Sequence, residues 1–75
     1  MKRIEMWPPP EDWAECIVTW DTMLANADHA PNAILEWTDS QPGGEYHLHG
    51  WKSTEGFAFR FRRAKDATLF RLRWL

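Results

Sequence analysis

Cysteine is almost missing from this chain, which has a single thiol, Cys16, in 75 residues. One cysteine closes no intramolecular disulfide, so the crosslinks that hold many small secreted domains together are ruled out. Long apolar runs are missing as well. No stretch approaches the roughly 20 apolar residues that span a bilayer, and Met1-Lys2-Arg3-Ile4-Glu5 lacks the apolar run of a signal peptide. These two absences argue against a membrane protein and for a reducing, cytoplasmic setting. Glycine is scarce and nowhere forms a phosphate-binding loop; there is no nucleophile elbow and no paired metal motif. A chain this short also leaves little wall for a substrate cavity of a few hundred Å³. Neither catalysis, nor a cofactor, nor a small-molecule substrate is expected.

Aromatic residues are abundant. Six tryptophans, four phenylalanines and one tyrosine are present, and each buries on the order of 150–250 Å² in a core. They supply the apolar area that a single small domain, here residues 1–75, needs in order to fold without crosslinks. The net charge of −2 conceals a division along the chain. Residues 1–55 carry three Lys/Arg against ten Asp/Glu, whereas residues 56–75 carry Arg60, Arg62, Arg63, Lys65, Arg71 and Arg73 against Asp66 alone. Such asymmetry marks an interaction surface for an acidic partner.

The spacing predicts an α+β fold, with one N-terminal helix packed on a four-stranded antiparallel β-meander. Residues 1–9 read as an arm or a short strand ending in Trp7-Pro8-Pro9-Pro10, where proline stops any strand. A helix is predicted over 10–27, with Trp13, Ile17, Trp20, Leu24 and Ala27 as its apolar stripe and Cys16 and Met23 at the flanks. Pro31 ends it. From 33 to 75 the pattern alternates, and turn signals near 41–44, 53–56 and 63–66 divide it into four strands.

With four-residue loops, one face of this meander collects Leu35, Trp37, Tyr46, Leu48, Gly50, Phe57, Phe59, Phe61, Phe70, Leu72 and Trp74, and the helix would cover it. Gly50 would lie opposite Phe59. The other face would carry His47, His49, Trp51, Arg60, Arg62, Arg71 and Arg73, with Glu36, His49, Arg60 and Leu69 in one row and Arg71 opposite Ala58. No acid stands in the last two strands of that face. Arginine and tryptophan are the residues most enriched in binding hot spots, so this open cationic face is the expected contact surface. Plain solvent exposure of an antiparallel sheet gives the same alternation.

Two smaller features have competing readings. His47-Leu48-His49 puts two imidazoles on one face, and His29, Glu45 or Cys16 are conceivable further metal ligands. Neighbouring arginines oppose a divalent cation, so no metal site is expected. Trp7-Pro8-Pro9-Pro10-Glu11-Asp12 partly resembles the aromatic-plus-proline ligands of polyproline-binding domains; a tether with Trp7 packed on the core accounts for the same residues.

The function these features imply is a small regulator or inhibitor that docks on an acidic protein surface of a larger complex. The alternative is a module binding RNA or single-stranded DNA. The acidic overall balance opposes a general nucleic-acid binder, and only Trp51 would be exposed as a stacking platform.

Overall fold

A computed structural model describes residues 1–25, 31–52 and 55–75, with the side chains of residues 25 and 50–52 outside the description. The elements are β1 (Lys2–Arg3), β2 (Ala14–Thr19), α1 (Trp20–Ala25), α2 (Pro31–Ser40), β3 (Glu45–Lys52), β4 (Gly56–Phe61) and α3 (Ala64–Trp74). The sheet is four-stranded and mixed, in the order β1-β3-β4-β2. β1 runs parallel to β3, while β3–β4 and β2–β4 are antiparallel. The fold is α+β, but neither the N-terminal helix nor the pure antiparallel meander is there.

Of the segment predicted as a helix over 10–27, Ala14–Thr19 is the strand β2 and only Trp20–Ala25 is the helix α1, and the segment's last two residues lie outside the described set. Ile17, Val18 and Thr19 are three β-branched residues in succession, stiff at χ1 and suited to a pleated strand. Cys16 and Val18 alternate into the core, whereas Ile17 is only half-buried. Leu24, assigned to the stripe, is 83% exposed, and Trp7 at 84% does not pack on the core. The Trp7–Pro8 peptide is cis.

The first predicted strand is instead α2. Pro31 occupies its first position, where a missing N–H costs nothing. Ile34 and Thr38 are buried one turn apart, with the Thr38 hydroxyl donating to the Ile34 carbonyl at 2.8 Å. The last predicted strand is α3, whose buried stripe is Ala67, Phe70 and Trp74. Asp66 in its first turn and Arg71 and Arg73 in its last complement the helix dipole. Leu72 falls opposite that stripe and is 81% exposed. The pairs Arg60–Leu69 and Arg71–Ala58 therefore do not form.

The hairpin of β3 and β4 does form, in a register two residues away from the expected one. Phe59 pairs with Leu48, not Gly50, and Arg60 pairs with His47, not His49: one residue of the shift arises at the turn, where Lys52 pairs with Gly56, and the other at the irregularity between His49 and Lys52. A shift of two preserves the faces. Tyr46, Phe59 and Phe61 are buried on the helix-bearing side, and Leu48 and Phe57 pack against them.

That side holds the core. Phe70 of α3 lies 4.8 Å from Phe59 and 5.1 Å from Phe61, centroid to centroid, and Trp37 of α2 meets both Phe70 and Trp74 edge-on. One polar anchor fixes the start of α3. The Asp66 carboxylate accepts from the Gly44 N–H at 2.9 Å and from the Arg63 guanidinium at 3.2 and 3.3 Å. A Cβ on Gly43 would come within 2.9 Å of Asp66 Oδ1, so a side chain there would push the carboxylate out of this arrangement. Gly56 is required by its backbone. Its φ is +142°, and a Cβ there would lie 2.1 Å from the Val18 carbonyl oxygen.

Candidate functional site

Strand alternation puts Glu15 and Ile17 of β2, His47 and His49 of β3, and Ala58 and Arg60 of β4 on the face away from the helices. The register aligns Glu15, Arg60 and His47 across the three strands. Arg60 donates to Glu15 Oε2 through Nε at 3.0 Å and through Nη2 at 2.9 Å. The acid missing from the local sequence thus arrives from a strand 45 residues away.

This face is also not open. The N-terminal arm crosses it: the Met6 carbonyl lies 3.2 Å from His47 Nε2, and the Pro10 carbonyl accepts from Arg60 Nη1 at 3.4 Å. A carbonyl only accepts, so Nε2 carries the imidazole proton, and Nδ1 is buried with no hydrogen-bond partner. His47 is 7% exposed, the Arg60 side chain 17%, and Ala58 and Pro10 are buried. A cavity of about 360 Å³ remains between the arm at Arg3–Met6 and His47 and Leu48.

The seven residues of the predicted contact face are accordingly dispersed. His47 and Arg60 lie under the arm, and His49 is half-buried beside them. Arg62 is exposed and paired with Glu45. The Trp51 side chain is outside the described residues. Arg71 and Arg73 are not on the sheet at all. Both lie on α3, where Arg71 Nη2 donates to the Glu15 carbonyl at 3.2 Å and the Arg73 guanidinium sits 4.0 Å above the Trp74 ring.

The solvent side of α3 keeps Leu69, Arg71, Arg73 and Leu75, expected to be exposed, and adds Leu72, expected in the core. Opposite the buried stripe of Ala67, Phe70 and Trp74 stand Lys65, Thr68, Leu69, Leu72 and Leu75, all exposed, with Arg71 and Arg73 on the two flanks. Aliphatic side chains between cations on a rigid helix make a surface that can bury apolar area and pair with carboxylates at its rim. The sequence signal for it was available. Once Ala67, Phe70 and Trp74 are recognised as a stripe, Leu69 and Leu72 are left with no core to face.

Cys16 is an unpromising nucleophile. Burial pushes its thiol up, with the nearby Arg71 opposing and Glu15 adding to the shift, and its sulfur rests 3.8 Å from the Ala67 carbonyl on the helix-bearing face. It therefore lies across the sheet from His47 and His49; His29 lies outside the described residues. Among the described residues no group of three or more His, Cys, Asp and Glu side chains could hold a metal ion, and no helix is long and apolar enough to cross a membrane. Comparisons with family models, with curated proteins and with solved structures find no match.

Proposed function

We propose that this chain is a small non-catalytic binding domain that regulates or inhibits a larger complex, docking the outer face of α3 on a protein surface whose apolar patch is rimmed by carboxylates. The observation that carries the reading is the exposure of Leu72, with Leu69 one turn before it, between the cations Lys65 and Arg73. A monomer gains nothing by holding two leucines outward on a helix whose other side is fully packed. Apolar area with charge at its margin matches the core-and-rim arrangement of a protein interface. Arg73 stacks on Trp74, which limits the side-chain entropy lost when it meets a carboxylate. A cytoplasmic location goes with this reading, supported by the lone buried thiol.

The partner is acidic because the exposed charges of α3 beyond its first turn are all positive. Nucleic acid fits less well, since the two leucines would face a phosphate backbone that offers them no apolar area.

Capture from cell lysate with wild type, Leu72→Asp and Arg73→Glu, each with and without nuclease, tests the proposal. A nuclease-resistant protein should bind wild type and be lost from Leu72→Asp, a change worth about 2 kcal/mol or more for a central anchor. Equal capture by folded Leu72→Asp overturns the α3 reading. Capture abolished by nuclease replaces the protein partner with nucleic acid.

A further inference from the structure

We propose that the outer edge of β2, beyond which no described strand lies, is a self-association surface, and that its occupant is a second copy of this chain. The backbone directions establish the edge. The Arg62 N–H donates to the Glu45 carbonyl, which turns the backbone groups of Arg62, Arg60 and Ala58 toward β3. Those of Phe61, Phe59 and Phe57 then face β2, and Ala14, Cys16 and Val18 answer them. The Trp20 N–H donating to the Glu55 carbonyl at 3.2 Å continues the same alternation. Hence the N–H and C=O groups of Glu15, Ile17 and Thr19 point outward, and β2 ends the sheet with no described strand beyond it. A six-residue edge of this kind is a template for another strand.

The edge is self-complementary. Two copies of β2 running antiparallel about Ile17 bring Ile17 against the partner's Ile17, and Glu15 against the partner's Thr19, so no like charges stand opposite one another. The Ile17 side chains, half-buried in one copy, meet on the arm-bearing face.

The flanking helices complete the match. α3 lies over β2 with Ala67 at Cys16 and Arg71 at Glu15, so its C-terminal end sits toward the start of the strand. α1 follows from the end of the strand on the same side, with Met23 turned into the core. A two-fold axis at Ile17 therefore sets the end of α3 beside the partner's α1. Exposed Arg71 meets the partner's Asp21, and exposed Leu75 meets the partner's Leu24. Each contact occurs twice, as an isologous interface requires. The Glu15 carbonyl, held by Arg71 in one copy, takes the N–H of the partner's Thr19 instead. Lys65, Leu69, Leu72 and Arg73 stay outward, so this inference stands or falls separately from the docking of α3.

Sedimentation of the whole chain over a concentration series is the test, with circular dichroism confirming the fold of every variant. Wild type should approach twice its 8.9 kDa mass. Ile17→Lys places like charges at the two-fold axis and should weaken self-association at least tenfold. Asp21→Arg and Arg71→Asp change exposed residues; each alone should weaken it, and the two combined should restore it. A wild type that stays monomeric to millimolar concentration overturns the proposal. So does a dimer indifferent to Ile17→Lys and to Asp21→Arg, or one abolished only by Leu72→Asp.

Discussion

The two faces of the sheet are closed by different means. On the helix-bearing side, Tyr46, Phe59, Phe61, Phe70 and Trp74 fill an aromatic core in which nearly every contact is apolar. On the other side an irregular arm is held by backbone carbonyls, Met6 to His47 and Pro10 to Arg60, with Glu15 balancing the guanidinium. Apolar closure scales with buried area and stabilises the fold outright. Polar closure contributes little net free energy, yet leaves a large penalty when one partner is removed. The helix face therefore gives the fold its stability, and the arm face fixes where charge is allowed to sit.

Substitutions can break this comparison in a graded way. Phe61→Ala, at a fully buried ring, should cost about 3–5 kcal/mol in chemical denaturation, enough to unfold a domain of this size at ambient temperature. A small loss would mean that the helix face is not the main source of stability.

Asp66, the polar exception on the helix side, comes next. Burial would raise its pKa, but the hydrogen bonds from Arg63 and the Gly44 N–H prevail and hold it below the ordinary carboxylate range. Its stabilisation is present above the unfolded value of about 3.9 and is lost as pH falls through the lower folded value. Asp66→Asn should cost about 2 kcal/mol at neutral pH and flatten the acid limb of the stability curve. Tyr46 governs the alkaline limb. Its hydroxyl is raised by burial and by its hydrogen bond to Asp39, so its contribution is complete below about pH 10 and is lost as pH rises through the folded value.

On the arm face, Arg60→Ala removes the guanidinium from Glu15 and releases the Pro10 carbonyl. The expected loss is about 1–2 kcal/mol, less than for a fully buried pair, together with faster amide exchange and proteolysis over residues 6–13. Unchanged protection of the arm would show that these carbonyl contacts do not hold it. The smallest effect belongs to Leu72→Ala, which should shift stability by less than about 0.5 kcal/mol; a larger shift would mean that Leu72 is buried in the free protein.

Much of the core was legible in the sequence, and much of the fold was not, for one physical reason. A separation of four residues is an even number and also about one helical turn. Phe70 and Trp74, Ile34 and Thr38, and Trp13 and Ile17 each satisfy a strand and a helix equally. Spacings of two and three decide between them. Cys16 with Val18 marks β2, and Ala67 with Phe70 marks α3, but neither small residue has the weight of a tryptophan in a periodic reading. The hairpin of β3 and β4 was readable because Tyr46, Leu48, Phe57, Phe59 and Phe61 alternate with polar or small residues. The grouping of the cations was not, because it depends on the fold of the last segment and on Glu15, which is remote in sequence.

The central position of β4 has a kinetic meaning. One neighbour, β3, reaches it through a short hairpin turn, a closure that takes on the order of 1–10 μs. The other, β2, must be brought back across a separation as long as the 45 residues between Glu15 and Arg60, and loop closure slows assembly as that distance grows. The topology thus predicts an order of events in which the hairpin of β3 and β4 gathers the aromatic cluster and β2 joins late. A strand that joins late, at an edge, should also open its amides ahead of global unfolding, and the expected cooperative unit is smaller than the sheet.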